Sequence, residues 1–91
     1  MSSRIDRLRA ALETALAPTR LDIEDEGHLH AGHAGARKGG HFRVTVVAEA
    51  FTGLSPIARH RRVYEAAAEL MQTDIHALAI TARTPAEAAA R

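Results

Sequence analysis

Residues 42–82 read FRVTVVAEAFTGLSPIARHRRVYEAAAELMQTDIHALAITA. Phe42, Val44 and Val46 share one parity and Arg43, Thr45 and Val47 the other, the alternation of a strand with one buried face. Phe51-Thr52-Gly53-Leu54 turns the chain. Ser55 as N-cap and Pro56 at the first helical position open a helix. Ile57, His60, Tyr64, Ala67 and Met71 recur at helical spacing as its apolar stripe, widened by Val63 and Leu70. On that stripe His60 reads as a buried, hydrogen-bonded histidine. Arg59, Arg61 and Arg62 project elsewhere. Thr73-Asp74 closes the helix. Ile75 to Ala82 is a further strand, with His76, Leu78 and Ile80 on one parity. Strand, helix and strand in succession predict a parallel pair joined by a right-handed crossover.

Upstream, residues 25–42 read DEGHLHAGHAGARKGGHF and break every periodicity. Four of the six histidines stand there, His28, His30, His33 and His41, with five of the six glycines. The stretch is a long loop, mobile over about Ala31 to Gly39. Long loops in small domains are commonly functional, and imidazole is the commonest side-chain metal ligand. Before it, Leu21-Asp22-Ile23-Glu24-Asp25 alternates apolar and acidic, a short half-buried strand. The strands flanking the loop pair antiparallel. At the N-terminus, Ser3 and Asp6 approximate a capping box, and Ile5, Leu8, Leu12, Ala15 and Leu16 form the stripe of an amphipathic helix that Pro18 ends at about Ala17. Thr84-Pro85 opens a last frayed turn. The order helix, strand, strand, helix, strand predicts an α+β sandwich, a three-stranded mixed sheet covered by helices.

Composition narrows the function. Ninety-one residues make a single domain, 1–91, with little room for a substrate cleft. Of its 46% apolar residues, 20 are Ala, so the core rests on few large side chains. Twelve basic residues against 11 acidic ones give a net charge of +1, no general pull toward nucleic acid or anionic lipid. There is no cysteine, which excludes disulfides, thiolate–zinc sites and cysteine nucleophiles. No apolar run reaches the ~20 residues of a membrane span, and the N-terminus lacks a secretory pattern. The expectation is a cytoplasmic protein, monomeric when alone. No nucleophile–base pair, phosphate loop or carboxylate pair marks an enzyme.

At the level of motifs, the chain resembles the BolA family. The resemblance is carried by Asp25-Glu26, the HAGHAG of residues 30–35, the HF-x-V-x-VV of residues 41–47, Phe51 with Gly53-Leu54-Ser55-Pro56, the RHR-x-VY of residues 59–64, and IHALAI from Ile75 with Thr84-Pro85-x-Glu87. It spans roughly Ile5 to Glu87. Gly27 and Gly40 depart from the family pattern, which has Ser and Thr there; both sit at the loop's roots, and the expectation is a looser loop. The resemblance implies a fold like a type-II KH domain. It also implies an adaptor role beside a monothiol glutaredoxin in iron–sulfur cluster assembly, trafficking or iron regulation. In that picture a [2Fe–2S] cluster is shared, with His76 and one of His30 or His33 as ligands, and thiolates supplied by the glutaredoxin and glutathione. No cofactor is expected in the isolated protein. From pattern alone, His76 reads as a core or edge histidine, His41 as structural and His28 as solvated. The loop histidines could equally take Zn²⁺, Ni²⁺ or Cu²⁺ adventitiously.

A second reading is nucleic-acid binding, since some members of the family are linked to DNA and to growth or stress responses. Arg59, Arg61 and Arg62, with Arg37 and Lys38, would supply the phosphate contacts. Gly32-His33-Ala34-Gly35 matches the KH GxxG literally but lies between strands, the wrong context.

Overall fold

The computed structural model describes residues 3–26 and 40–90. The chain runs α1 (Arg4–Leu16), β1 (Arg20–Asp25), β2 (Gly40–Val47), a 3₁₀ turn (Glu49–Phe51), α2 (Pro56–Ala66), α3 (Ala68–Thr73), β3 (Ile75–Arg83) and α4 (Pro85–Ala89). The sheet order is β1-β2-β3. β1 pairs antiparallel with β2, from Arg20 opposite Val47 to Asp25 opposite Phe42. β2 and β3 run parallel. The expected α+β architecture with a mixed sheet is what forms.

The helix boundaries follow from local chemistry. Ser3 accepts from the Asp6 N–H while the Asp6 carboxylate reaches back to the Ser3 N–H, so the predicted capping box is complete. Ala17 ends α1 in the left-handed region at φ 46°, ahead of Pro18. Ser55 caps α2 by accepting from the Ala58 N–H, with Pro56 in the first turn. The expected frayed last turn is a capped helix: Thr84 and Glu87 form a second capping box. The helix predicted from Pro56 to Thr73 is two, meeting at Ala67, whose φ −100° and ψ 11° leave the helical basin. Gly53 takes φ 82° in the turn before α2, a conformation that favours glycine.

The core lies between α1, α2 and one sheet face. Leu8, Leu12 and Leu16 of α1 meet Phe42, Val44 and Val46 of β2, Val63 of α2, and Phe51, Ala67, Ile75 and Leu78. Ala15, expected on the α1 stripe, is exposed, because Leu8, Leu12 and Leu16 centre the buried face one helical step away. Gly40 is ordered and buried within β2, its N–H donating to the Asp74 carbonyl at 2.9 Å. A Cβ at Gly40 would fall onto the Phe42 ring, 2.7 Å from Cζ. Glycine here makes room for a core aromatic; it does not loosen a loop. No helix among the described residues is long and apolar enough to cross a membrane.

Arg59 ties α2 to the C-terminal end of β3. Its guanidinium bonds the Glu87 carboxylate at 2.6 and 3.1 Å and the carbonyls of Leu54 and Ala82 at 2.9 and 3.2 Å. The Arg59 hydrogen bond, then the Thr84 N–H, hold the Glu87 carboxyl well below its ordinary range, at about 2. A depressed folded-state pKa stabilises the native state above the unfolded value near 4.5, and that contribution is lost as pH falls toward about 2. Thermal melts between those limits should therefore fall more steeply for the natural chain than for Glu87→Gln. Parallel curves would contradict the assignment.

Candidate functional site: a histidine pair at the start of β2 and β3

The first residues of β2 and β3 lie side by side, and their register slips there. Gly40 stands opposite Ile75, but His41 stands opposite Ala77. His76 is therefore the extra residue of a β-bulge. Bulges re-aim side chains, and this one breaks the period-2 count. Ile75 and Leu78 are both buried although they differ in parity, and His76 is exposed. The expectation that His76 shares a face with Leu78 and Ile80 is corrected by that inserted residue.

The bulge sets His76 against His41. Their ring centroids are 5.0 Å apart and the rings are tilted by 39°. His41 is half-buried, on the parity of β2 that includes exposed Arg43. Sequence reasoning passed over His41 as a strand-opening residue. Its signal was parity, which puts it opposite Phe42 and Val44 and so outside the core.

Four contacts hold this end of the sheet in place. Glu26 N–H donates to the His41 carbonyl at 2.7 Å, closing β1 onto β2. The Asp74 carbonyl takes the Gly40 N–H. The Asp74 carboxylate takes Arg7 of α1, at 2.8 Å from Nε and 2.5 Å from Nη2. The Arg7 hydrogen bond keeps the Asp74 carboxyl below its ordinary range. Arg43 meets Glu26 at 3.0 Å across the adjacent strands. A rigid scaffold thus carries both imidazoles and fixes both roots of the intervening segment.

His28, His30, His33, the expected mobile stretch from Ala31 to Gly39, Arg37, Lys38 and the GxxG match all lie outside the described residues. Among the described residues no cluster of three or more His, Cys, Asp or Glu is placed to hold a metal ion. At the sheet end the exposed His76 is an imidazole donor with the His41 ring beside it, and no thiolate stands with them, the chain having no cysteine. An imidazole suits a borderline metal, and one donor falls far short of the four ligands of a closed site. It fits a metal centre completed from outside the described residues.

Two other expectations change. His60 is exposed on α2; its Nδ1 lies 2.9 Å from the Pro56 carbonyl. The core face of α2 is set by Val63 and the partly buried Ala66 and is continued by Ala67 at its end, and Ile57, His60 and Tyr64 lie about 100° around the helix from its centre. The expected hydrogen bond forms, and the expected burial does not. His60→Ala should consequently change stability by no more than about 0.5 kcal/mol in urea denaturation. A loss above about 1 kcal/mol would restore the buried reading.

Arg59 does not join Arg61 and Arg62 as a solvent-facing cation. Its side chain is 13% exposed and its head group is engaged by Glu87. Arg61 and Arg62 are exposed.

Comparison with known proteins agrees with this architecture. The family model described as BolA-like protein matches residues 12–87. BolA-like protein 1 of Mus musculus is 49% identical over 80 residues, covering 88% of this chain and 57% of its own length. The chain thus spans little more than half of that relative. Two solved structures from Arabidopsis thaliana superpose with a TM-score of 0.83: BolA1, at 37% identity, and the BolA domain of SufE1, at 41%. Each covers 96% of this chain and 98% of its own. With the matched family model, the mixed sheet and the shared topology in agreement, this chain belongs to the BolA-like family.

Proposed function

We propose that this protein is a non-enzymatic adaptor that binds a monothiol glutaredoxin and shares a [2Fe–2S] cluster with it. His76 and one of His30 or His33 are the imidazole ligands in this reading, and the glutaredoxin cysteine and glutathione supply the thiolates. The observation that carries the proposal is the bulge, which turns His76 out of the core at the end of the sheet where the 27–39 segment is rooted. His30 follows Glu26 by four positions, so at most ~14 Å of extended chain lies between them. The absence of cysteine makes an outside thiolate donor necessary.

When bound, the cluster supplies one-electron chemistry at a potential raised by imidazole in place of thiolate. The chain's own part is positional. The bulge presents His76, the Asp74 and Glu26 contacts hold the strand ends, and His41 lies against the His76 ring and limits its orientation. Assembly, trafficking or iron regulation are the processes such a shared centre would serve.

The test is anaerobic co-purification with a monothiol glutaredoxin and glutathione. A coloured complex whose visible CD differs from that of the glutaredoxin alone is the expected result. A histidine-independent spectrum would reject the shared-ligand reading. The nucleic-acid reading is the weaker one, because Arg59 is committed to Glu87 and Arg61 lines an apolar surface with Ile57 and Tyr64.

A further inference from the structure

The two edges of the sheet differ in kind. β1 and β3 are its outer strands. β1 is six residues long and carries Arg20, Asp22, Glu24 and Asp25. Charge of that density on an edge strand discourages the addition of another strand. β3 is nine residues long, and from Ile75 to Ala82 it has no Asp, Glu, Lys, Arg, Pro or Gly. A long, uncharged edge strand is what a second chain pairs with most readily. Among the described residues, no strand pairs with β3 on the side away from β2.

The register decides which groups that edge presents. Ala48 N–H donates to the Arg83 carbonyl, so the backbone of Arg83 faces β2. Backbone groups alternate in direction along a strand, and those of Leu78, Ile80 and Ala82 therefore face outward. α2 takes the first and last of these carbonyls. The Tyr64 hydroxyl donates to Leu78 at 3.2 Å, and the Arg59 guanidinium donates to Ala82 at 3.2 Å. Glu87 holds the Arg59 head group across the edge, at 2.6 and 3.1 Å. Tyr64 is 41% exposed and stands outside the core cluster, so burial does not account for its place. A strand added to β3 would need both carbonyls as acceptors and would lie ~4.8 Å away, in the space these two side chains fill.

We propose that Arg59 and Tyr64 guard the free edge of β3 against pairing with β3 of a second copy of this chain. A second copy is the strand they exclude, because identical uncharged segments pair in register with each apolar side chain against its like. Ile80 alone lies between the two guarded positions, which are ~13 Å apart along the strand, and one open residue is too short for a ladder. Arg59 thus does more than join α2 to the end of β3. The inference is independent of the histidine ligands, and its test uses no metal, glutathione or glutaredoxin.

The experiment compares the full chain with Tyr64→Ala, which uncovers the Leu78 carbonyl, and with Arg59→Gln/Tyr64→Ala, which uncovers both. Far-UV CD checks the fold of each, and sedimentation velocity follows mass against concentration. The natural chain should keep a constant mass over the range in which Tyr64→Ala rises and the double variant reaches about a doubling of the weight-average mass. Where loss of Arg59 unfolds the chain, the rise in Tyr64→Ala alone carries the test. Ala79 is exposed on β3, and adding Ala79→Lys should return either variant to the mass of the natural chain. Hydrogen exchange at the outward Ile80 amide should slow in the associated species. Folded variants that keep the natural chain's mass at every concentration would overturn the proposal. So would association that Ala79→Lys leaves unchanged or that leaves the Ile80 amide unprotected, and so would a natural chain that associates as far as its variants.

Discussion

His76→Ala should abolish the distinct visible CD of a glutaredoxin complex while leaving the fold intact. The residue is exposed at a bulge, and its neighbours Ile75 and Leu78 carry the packing of that part of β3. Removal of the imidazole therefore opens no core cavity, and a stability change within about 0.5 kcal/mol is expected in urea. Loss of a proposed cluster ligand has no comparable compensation on the chain, which has no thiolate to substitute. Retention of the natural complex's spectrum by His76→Ala would remove this residue from the donor set. A His41→Ala variant separates ligation from support. It should keep the spectral class but broaden or weaken it, because the His41 ring lies 5.0 Å from that of the proposed ligand His76.

The largest stability effect is expected at Phe51. The 3₁₀ turn buries its ring completely among the residues of the single core cluster. Phe51→Ala removes one of only two phenylalanines in a core otherwise built from Leu, Val, Ile and Ala. Such deletions cost about 3–5 kcal/mol, through lost transfer energy and the cavity left behind. A domain of this size has a total stability of roughly 5–15 kcal/mol, so the variant should be marginal. Urea titration monitored by far-UV CD should show the midpoint displaced far toward zero denaturant. An unfolding free energy within about 1 kcal/mol of the natural chain's would mean that the turn repacks around the loss.

The element order and the mixed sheet were legible because each element carries its own local signal. The alternation of Phe42, Val44 and Val46, the Ser55-Pro56 helix start and the Ser3/Asp6 box are all satisfied within a few residues. What could not be read depends on distant contacts or on small shifts of phase. α2 presents two apolar stripes, and periodicity cannot say which one the sheet covers; His60 and Tyr64 were placed on the wrong one. The bulge adds one residue, which a period-2 count carries through as a change of face at His76. Arg59 looked like one cation among three because its partner, Glu87, stands 28 positions away. The pairing of His41 with His76 is equally non-local, formed by the parallel register of β2 and β3.

The central claim is that the chain contributes imidazole ligands to a centre completed by a partner's thiolates. Its most direct measurement is anaerobic reconstitution of a [2Fe–2S] cluster on a monothiol glutaredoxin with glutathione, titrated with this protein and followed by visible CD. The expected result is a saturating change to a new spectrum, present with the natural chain and absent with His76→Ala or with a His30/His33 double alanine variant. A spectrum that stays that of the glutaredoxin alone throughout the titration, or that changes identically with all three chains, would contradict it.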